Sequence, residues 1–303
     1  MSGRPRIGAD AVAAKGWLAA HRWLLLRRAS QAFVLGLFLI GPLAGVWVVK
    51  GNLGSSLTLG TLSLTDPYFV VQSFVAGHHI ERVALVGAAI AAVFFVLVGG
   101  RVYCSWVCPV NVLTDAARWL RQRLGLRGGA RLSRRVRYWM LAMTLIVAAA
   151  TGTVAWELVN PVTMVFRGLV FGIGAAWAVA LVVFLLDLFV GNRLWCGHLC
   201  PVGAFYSLLG TGSVVRVGAL RRSACNGCNE CYVVCPEPHV ITPVLKGAEG
   251  GVRSPVILAP NCTNCGRCAD ICAPDVFAFT TRFNTRIEDV ENEDETEAMR
   301  PAA

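Results

Sequence analysis

The residues in this 303-residue chain best equipped for chemistry are its twelve cysteines, because they fall in runs. Eight of them form two runs near the C-terminus, Cys225-x2-Cys228-x2-Cys231-x3-Cys235-Pro236 and Cys262-x2-Cys265-x2-Cys268-x3-Cys272. The other four form two shorter motifs, Cys104-x3-Cys108-Pro109 and Cys196-x3-Cys200-Pro201. Clustered thiolates are soft ligands for zinc or iron–sulfur clusters, and close pairs can also act as redox thiols. The chain is too long and too apolar for a small secreted disulfide scaffold.

The long runs have the spacing of two-cluster ferredoxins, in which three closely spaced thiolates hold one cubane and the fourth reaches the other. That pattern assigns Cys225, Cys228, Cys231 and Cys272 to a first [4Fe-4S] cluster. It assigns Cys262, Cys265, Cys268 and Cys235 to a second. A tight loop can present three sulfurs to one face of a cubane while its backbone N–H groups offset the cluster's negative charge. The small and polar residues between the thiolates (Asn226, Gly227, Asn229; Thr263, Asn264, Gly266) suit such a loop. Structural zinc usually uses two C-x2-C pairs, and disulfides would be reduced in the cytoplasm, so both rivals fit less well. One departure is that Ala273 separates Cys272 from Pro274.

Each C-x3-C-P motif repeats the last half of a ferredoxin run without its first two cysteines, so neither encloses a cubane alone. Brought together, Cys104, Cys108, Cys196 and Cys200 fit a further metal site or a set of paired redox thiols; structural packing at the membrane edge is the bland alternative. His198 lies inside the second motif, but Ser105-Trp106 occupies the corresponding stretch of the first, which favours a structural role for it.

The elements that must position these cysteines are membrane-like. The chain is 55% hydrophobic and 15% charged, against about a quarter charged in a soluble protein. Four stretches approach the roughly 20 apolar residues that cross a bilayer: about residues 31–49, 83–100, 138–158 and 169–190. Arg and Lys concentrate before the first span, in the second loop and after the last span, which places both termini in the cytoplasm. A basic segment before an apolar one also resembles a signal peptide, but the length of the first span favours an uncleaved anchor. Gly99-Gly100-Arg101-Val102-Tyr103-Cys104 aligns with Gly191-Asn192-Arg193-Leu194-Trp195-Cys196, and Asp66-Pro67 is echoed by Asn160-Pro161.

The membrane part therefore reads as two repeated helical hairpins. The expected fold is an α-helical integral membrane protein with four transmembrane helices and a small C-terminal α+β ferredoxin-like domain. Its parts are a basic N-terminus (1–30), a membrane domain (31–220), the ferredoxin domain (221–286) and an acidic tail (287–303), expected to be disordered. After the first motif, Val112, Leu113, Ala116, Trp119, Leu120 and Leu124 share one helical face, and Asp115, Arg118, Arg121 and Arg123 share the other. That pattern suits a helix lying on the membrane. The net charge of +10 is a topology signal: 22 basic and six acidic residues precede Ala224, and six basic and twelve acidic follow. A nucleic-acid partner is excluded on that distribution.

Taken together, the chain resembles the NapH family, the membrane quinol-dehydrogenase subunits of periplasmic nitrate reductase systems. The likeness runs through Gly16-Trp17, His21-Arg22-Trp23-Leu24, Leu64-Thr65-Asp66-Pro67, both C-x3-C-P motifs, Cys235-Pro236-Glu237-Pro238-His239-Val240 and Asp275-Val276-Phe277. The cysteine pattern is shared with the membrane ferredoxins of nitrous oxide reduction and cytochrome oxidase assembly; the short first loop favours NapH. The resemblance implies a subunit in the bacterial inner membrane, rather than a stand-alone enzyme. It implies that electrons pass from the quinol pool through two [4Fe-4S] clusters and a periplasmic iron–sulfur partner towards nitrate reduction, with a cytoplasmic ferredoxin-type protein as a further partner. The rival reading is a membrane ferredoxin that reduces a metal or thiol during maturation of another respiratory enzyme.

A quinol site needs an apolar slot and a proton acceptor. The candidates are Asp66, His78, His79 and Glu157 on the periplasmic side and Asp187 near the cytoplasmic side; ionisable groups within a membrane are functional suspects. All twelve cysteines are expected on the cytoplasmic side, so electrons bound for the periplasm must cross about 30 Å of hydrocarbon.

Overall fold

The computed structural model describes residues 7–287, apart from 59, 127, 131, 173 and 247–253. Most of the acidic tail lies outside the described residues. The chain opens with two helices, α1 (Ala9–Ala20) and α2 (Arg22–Ala44), and α1 is broken internally at Gly16, whose φ is 80°. A three-stranded antiparallel sheet follows, β1 (Val49–Gly51), β2 (Ser55–Thr58) and β3 (Leu62–Thr65). Helices α3 (Pro67–Val75), α4 (Arg82–Val98), α5 (Val110–Arg123), α6 (Val136–Thr151), α7 (Pro161–Phe171), α8 (Gly174–Leu185) and α9 (Pro201–Leu209) complete the helical part. The C-terminal part pairs β4 (Val215–Ala219) antiparallel with β5 (Phe277–Thr281) and adds the short helices α10 (Glu230–Val234), α11 (Thr242–Lys246) and α12 (Arg267–Ile271).

The sequence repeat is a structural repeat. Each C-x3-C segment winds into a π turn, Tyr103–Val107 and Trp195–Leu199. The N–H of Cys108 donates to the Tyr103 carbonyl at 3.0 Å, and the N–H of Cys200 to that of Trp195 at 2.9 Å. The proline after each motif then opens α5 or α9, because a residue without an N–H suits the first turn of a helix. The second echo is equally regular. Asp66 caps α3 by accepting from the Tyr68 N–H at 3.0 Å, and Asn160 caps α7 by accepting from the Val162 N–H at 3.1 Å.

Among the described residues, one helical stretch, Ala9–Ala44, is long and apolar enough to cross a membrane. The others are shorter, with 17 residues in α4, 16 in α6 and 11 in α7, so four complete transmembrane helices are not what the structure displays. Glycines end them early: Gly152 and Gly172 stop α6 and α7 in left-handed conformation. Their outer faces are nonetheless apolar and exposed, including Val83, Val86, Ile90, Val93 and Phe94 on α4 and Trp139, Met143 and Ile146 on α6.

Three other features depart from the sequence reading. The first loop folds into β1–β3, and β3 lies against α4 with the Ser63 carbonyl close over Gly87. The ferredoxin-like domain begins with β4 at Val215, inside the stretch expected to belong to the membrane domain. The N-terminal segment is docked: Lys15 Nζ donates to the carbonyls of Ala269 (2.8 Å) and Cys272 (2.7 Å). The carboxylate of Asp270 accepts from the N–H groups of Trp23 and Leu24, both at 2.9 Å, and so supplies the N-terminal cap that His21 does not.

The two halves meet tightly at Gly100, where an added Cβ would lie 1.9 Å from the Tyr206 carbonyl and 2.4 Å from the Gly210 nitrogen. Gly100→Ala is expected to destabilise the protein by about 1–3 kcal/mol through overpacking, read as a lowered thermal midpoint in detergent; an unchanged midpoint would contradict this packing.

Candidate metal centres

The geometry of the ferredoxin-like domain follows from two matched turns. A residue in left-handed conformation precedes each short helix, Asn229 (φ 61°) before α10 and Gly266 (φ 70°) before α12. Three cysteines lie on each turn and first helical residues, and the helix carries the fourth away. The consequence is an exchange of fourth cysteines. Cys225, Cys228, Cys231 and Cys272 line one cavity, and Cys235, Cys262, Cys265 and Cys268 line another. No three His, Cys or carboxylate side chains among the described residues converge to hold a single ion; the thiols ring a space, as a polynuclear cluster requires. Burial pushes the Cys231 thiol up to about 12 and the Cys262 thiol up to about 11. Cys265 runs the other way: burial raises it, but the guanidinium groups of Arg267 and Arg27 outweigh that and hold it below the usual thiol value. Four soft sulfur donors around each cavity fit an iron–sulfur cluster.

The two C-x3-C-P motifs come together as well. Cys104, Cys108 and Cys200 pack into one cluster with Tyr103, Tyr206 and Trp195. Burial pushes up all four thiols, and Cys108, Cys196 and Cys200 each lie near enough to Cys104 for its charge to raise them further. A further cavity is lined by Cys104 and Cys196 together with Cys265 of the second ferredoxin set. The space between the membrane motifs and that set is therefore shared.

Two carboxylates, Glu237 buried and Asp115 half-buried, hold this arrangement. Glu237, two residues beyond Cys235, accepts from Arg101 and Arg137, both at 2.7 Å, with Arg134 at 3.3 Å. Arg101 also donates to the carbonyls of Cys196 (3.0 Å) and Asn261 (3.1 Å). Glu237, Arg101 and Arg137 are 3%, 2% and 0% exposed, which decides that the contact is internal. Asp115 on α5 bonds Arg193 at 2.6 Å and Arg267 at 2.6 Å, and Arg28 as well. Burial raises the Asp115 carboxyl, but Arg193, Arg267 and Arg28 outweigh it and hold the group well below the usual carboxylate range. On α5 the apolar face stays outward, but part of the charged face, expected to meet water, is turned inward. Arg118 and Arg121 are buried against the protein, while Val112 and Trp119 are exposed.

The quinol candidates scatter. Asp66 is half-buried, accepting from Tyr206 Oη at 2.9 Å, and therefore lies beside the helix that follows the second motif. Its carboxyl is pushed up to about 6, first by burial, and Glu157 is near enough to contribute to the rise. Glu157 accepts from Asn160 (2.9 Å) and Thr163 (2.7 Å). His78 and His79 are exposed after α3. Asp187 accepts from the Trp195 N–H at 2.9 Å, next to Cys196. His198 is half-buried, and its Nδ1 has no hydrogen-bond partner. Sequence reasoning missed Arg101, Arg193, Glu237 and Asp115; the shared arginine of the repeat, three residues before each motif, was the available signal.

Replacing Glu237 by Ala leaves buried guanidinium charge uncompensated, for which about 3–5 kcal/mol is expected. Limited proteolysis should then release the ferredoxin-like domain more readily than from wild type; equal protection would remove this carboxylate from the account.

A family described as "4Fe-4S binding domain" matches residues 82–127 and 173–221, and one described as "4Fe-4S dicluster domain" matches 224–276. The chain is 56% identical to the methylamine utilization ferredoxin-type protein MauN of Paracoccus denitrificans, over 90% of this chain and 95% of that protein. It is 48% identical to the ferredoxin-type protein NapH of Escherichia coli, over 94% of this chain and 99% of that protein. A third relative, NapH of Haemophilus influenzae, is 45% identical over 89% and 93%. No solved structure matches.

Proposed function

The chain belongs to the family of ferredoxin-type iron–sulfur proteins that includes NapH and MauN, and we propose on that premise that it is the electron-transfer subunit of a membrane quinol dehydrogenase. The single observation that carries the redox reading is the sorting of eight thiols into two cavities of four, each completed by a cysteine from the other run. The ligand sets are Cys225, Cys228, Cys231 and Cys272 for the first cluster, and Cys262, Cys265, Cys268 and Cys235 for the second. When bound, each cluster accepts and donates one electron at a time.

The chain's own residues do the rest. Backbone turns at Asn229 and Gly266 aim the thiols, Arg267 and Arg27 bring positive charge to Cys265, and Glu237 with its arginines fixes the second set over the membrane motif. Cys104, Cys108, Cys196 and Cys200 are either a further metal site or redox thiols between quinol and the second set. Asp66, with Tyr206 beside it, is the best-placed of the proton acceptors, being half-buried and bonded, among the described residues, to the Tyr68 N–H and Tyr206 Oη.

The membrane reading rests on exposed apolar surface. The outer faces of α2, α4, α6 and α8 carry Phe33, Leu43, Phe94, Trp139, Ile146 and Leu181, a larger apolar surface than soluble monomers expose. We place four crossings at residues 31–49, 83–100, 138–158 and 169–190 in a bacterial inner membrane, with both termini and the ferredoxin-like domain cytoplasmic. The downstream partner is an iron–sulfur protein in the periplasm that leads to a nitrate reductase. The names of the relatives favour a second destination, since MauN serves methylamine utilization, and the same redox route would suit either. A role in maturing another enzyme's metal or thiol is the remaining alternative.

Steady quinol oxidation by the purified protein with its partner separates turnover from maturation, and it should be abolished by Cys196→Ser. Iron analysis should return about eight atoms per chain from two [4Fe-4S] clusters, and a reproducible excess would place metal at the C-x3-C-P thiols. Turnover that persists in Cys196→Ser, with assembly of the downstream enzyme lost, would overturn the dehydrogenase reading in favour of maturation.

A further inference from the structure

Helix α5 carries two arginines that the ion-pair network leaves out. Arg118 and Arg121 stand one helical turn apart and are only 9% and 6% exposed, a costly place for a charge unless something answers it. Asp115 does not. Its oxygens are taken by Arg28, Arg193 and Arg267, and among the described residues no carboxylate lies within ion-pair distance of Arg118 or Arg121. Arg118 donates to the Val234 carbonyl at 3.1 Å, and Arg121 donates to the carbonyls of Leu188 and Gly128. Two guanidinium groups have more N–H donors than three carbonyls can occupy. None of their nitrogens is sealed away without a partner, so the remaining donors open onto accessible space. Burial, with Arg193 and Arg267 nearby, pushes Arg118 down to about 9, as befits a positive charge short of a counter-ion.

That space is a cavity of about 260 Å³ lined by Arg118, Arg121, Gln122, Leu126, Gly128 and Asn192. It lies where the fourth apolar stretch ends, and the Ala130 N–H ties the loop after α5 to that end by donating to the Val190 carbonyl at 2.8 Å. Exposed apolar side chains flank it on both sides. Leu181, Leu185 and Phe189 follow at four-residue spacing down α8 and the π turn after it (Leu186–Val190), leading towards Asn192. Trp119, Leu124 and Leu126 stand exposed on and just beyond α5.

We infer that this cavity binds the phosphate of an anionic membrane phospholipid, with the phosphodiester between Arg118 and Arg121 and the acyl chains along Leu185 and Phe189. A planar guanidinium forks onto two phosphate oxygens, and basic pockets at the cytoplasmic ends of spanning helices suit anionic headgroups. Gln122 and Asn192 add uncharged donors for headgroup hydroxyls. A free phosphate ion would answer the arginines equally well; the apolar rim is what selects the lipid. The inference rests on the membrane reading given above, and on neither the quinol nor the clusters.

The test uses the full-length protein, purified in detergent with its clusters and washed free of lipid. Phosphatidylglycerol or phosphatidylcholine is added back, and retention is read by native mass spectrometry. Wild type should hold one phosphatidylglycerol at a lipid concentration roughly tenfold below that needed for phosphatidylcholine. Arg118→Gln should remove most of that preference. Arg123→Gln, which deletes an exposed charge on the same helix outside the cavity, should change it by less than about twofold. Equal retention of the two lipids by wild type, or equal losses in the two variants, overturns the site in favour of diffuse surface attraction. Millimolar inorganic phosphate should leave the phosphatidylglycerol bound, and displacement would assign the cavity to a soluble anion instead.

If Arg118→Gln fails to fold, wild type alone still decides. Phosphatidylglycerol with a photoreactive acyl chain should crosslink within Trp177–Val190, and unlabelled phosphatidylglycerol should suppress that labelling where phosphatidylcholine does not. Labelling confined to other segments, or suppressed equally by both lipids, overturns the site. Protein that stays in solution without detergent and does not enter phosphatidylcholine vesicles overturns the membrane reading and this site together. Protein that enters them but shows no preference between the two lipids overturns the site alone.

Discussion

The joint between the two halves of this protein depends on two carboxylates, Glu237 buried and Asp115 half-buried. Glu237 comes from the ferredoxin-like domain and is gripped by Arg101 and Arg137 of the helical domain; Asp115 comes from the helical domain and bonds Arg267 of the ferredoxin-like domain together with Arg193 and Arg28. The exchange is reciprocal. A buried ion pair gains little net stability against its desolvation cost, but losing one partner is severe. Such contacts are therefore better at fixing one arrangement than at adding stability. Here the arrangement fixed is the approach of Cys265 to Cys104 and Cys196.

The repeat explains how one clasp became two. Arg101 and Arg193 occupy the same place in the two copies of the motif, three residues before the first cysteine. One copy turns its arginine to Glu237 and the other to Asp115. The π turns and the Asx caps at Asp66 and Asn160 are also shared, so the helical domain presents the four motif thiols from two related directions. The ferredoxin-like domain breaks that symmetry by docking its second thiol set, and not its first, over the meeting point.

What could be read from sequence was what local spacing controls. Cys225 to Cys235 and Cys262 to Cys272 carry their geometry within eleven residues each, and the crossing of Cys235 and Cys272 follows from how short α10 and α12 are. The aligned Gly-x-Arg and C-x3-C-P segments likewise carried the repeat. What stayed hidden was long-range. Arg101, Arg137 and Arg193 read as charges near a cytoplasmic membrane face, because nothing local marks a carboxylate more than seventy residues away as their partner. The same holds for Asp66, whose neighbour Tyr206 lies in the opposite half of the chain. The pairing of β1–β3 and the docking of α1 through Lys15 depend on contacts that neither periodicity nor composition encodes. Helices α6 and α7 are shorter than their apolar runs for a local reason: hydropathy continues through Gly152 and Gly172, and backbone helix does not.

The account describes a wire whose parts are held at fixed distances, from apolar helices through paired membrane motifs to two thiol-lined cavities. Its central claim is that the electrons come from quinol. Low-temperature EPR of the anaerobically purified protein with the partner proposed for it, recorded before and after adding a quinol, tests that claim most directly. The account predicts that quinol produces reduced-cluster signals in the intact protein. Signals that appear with dithionite but not with quinol, the partner being present, would contradict it.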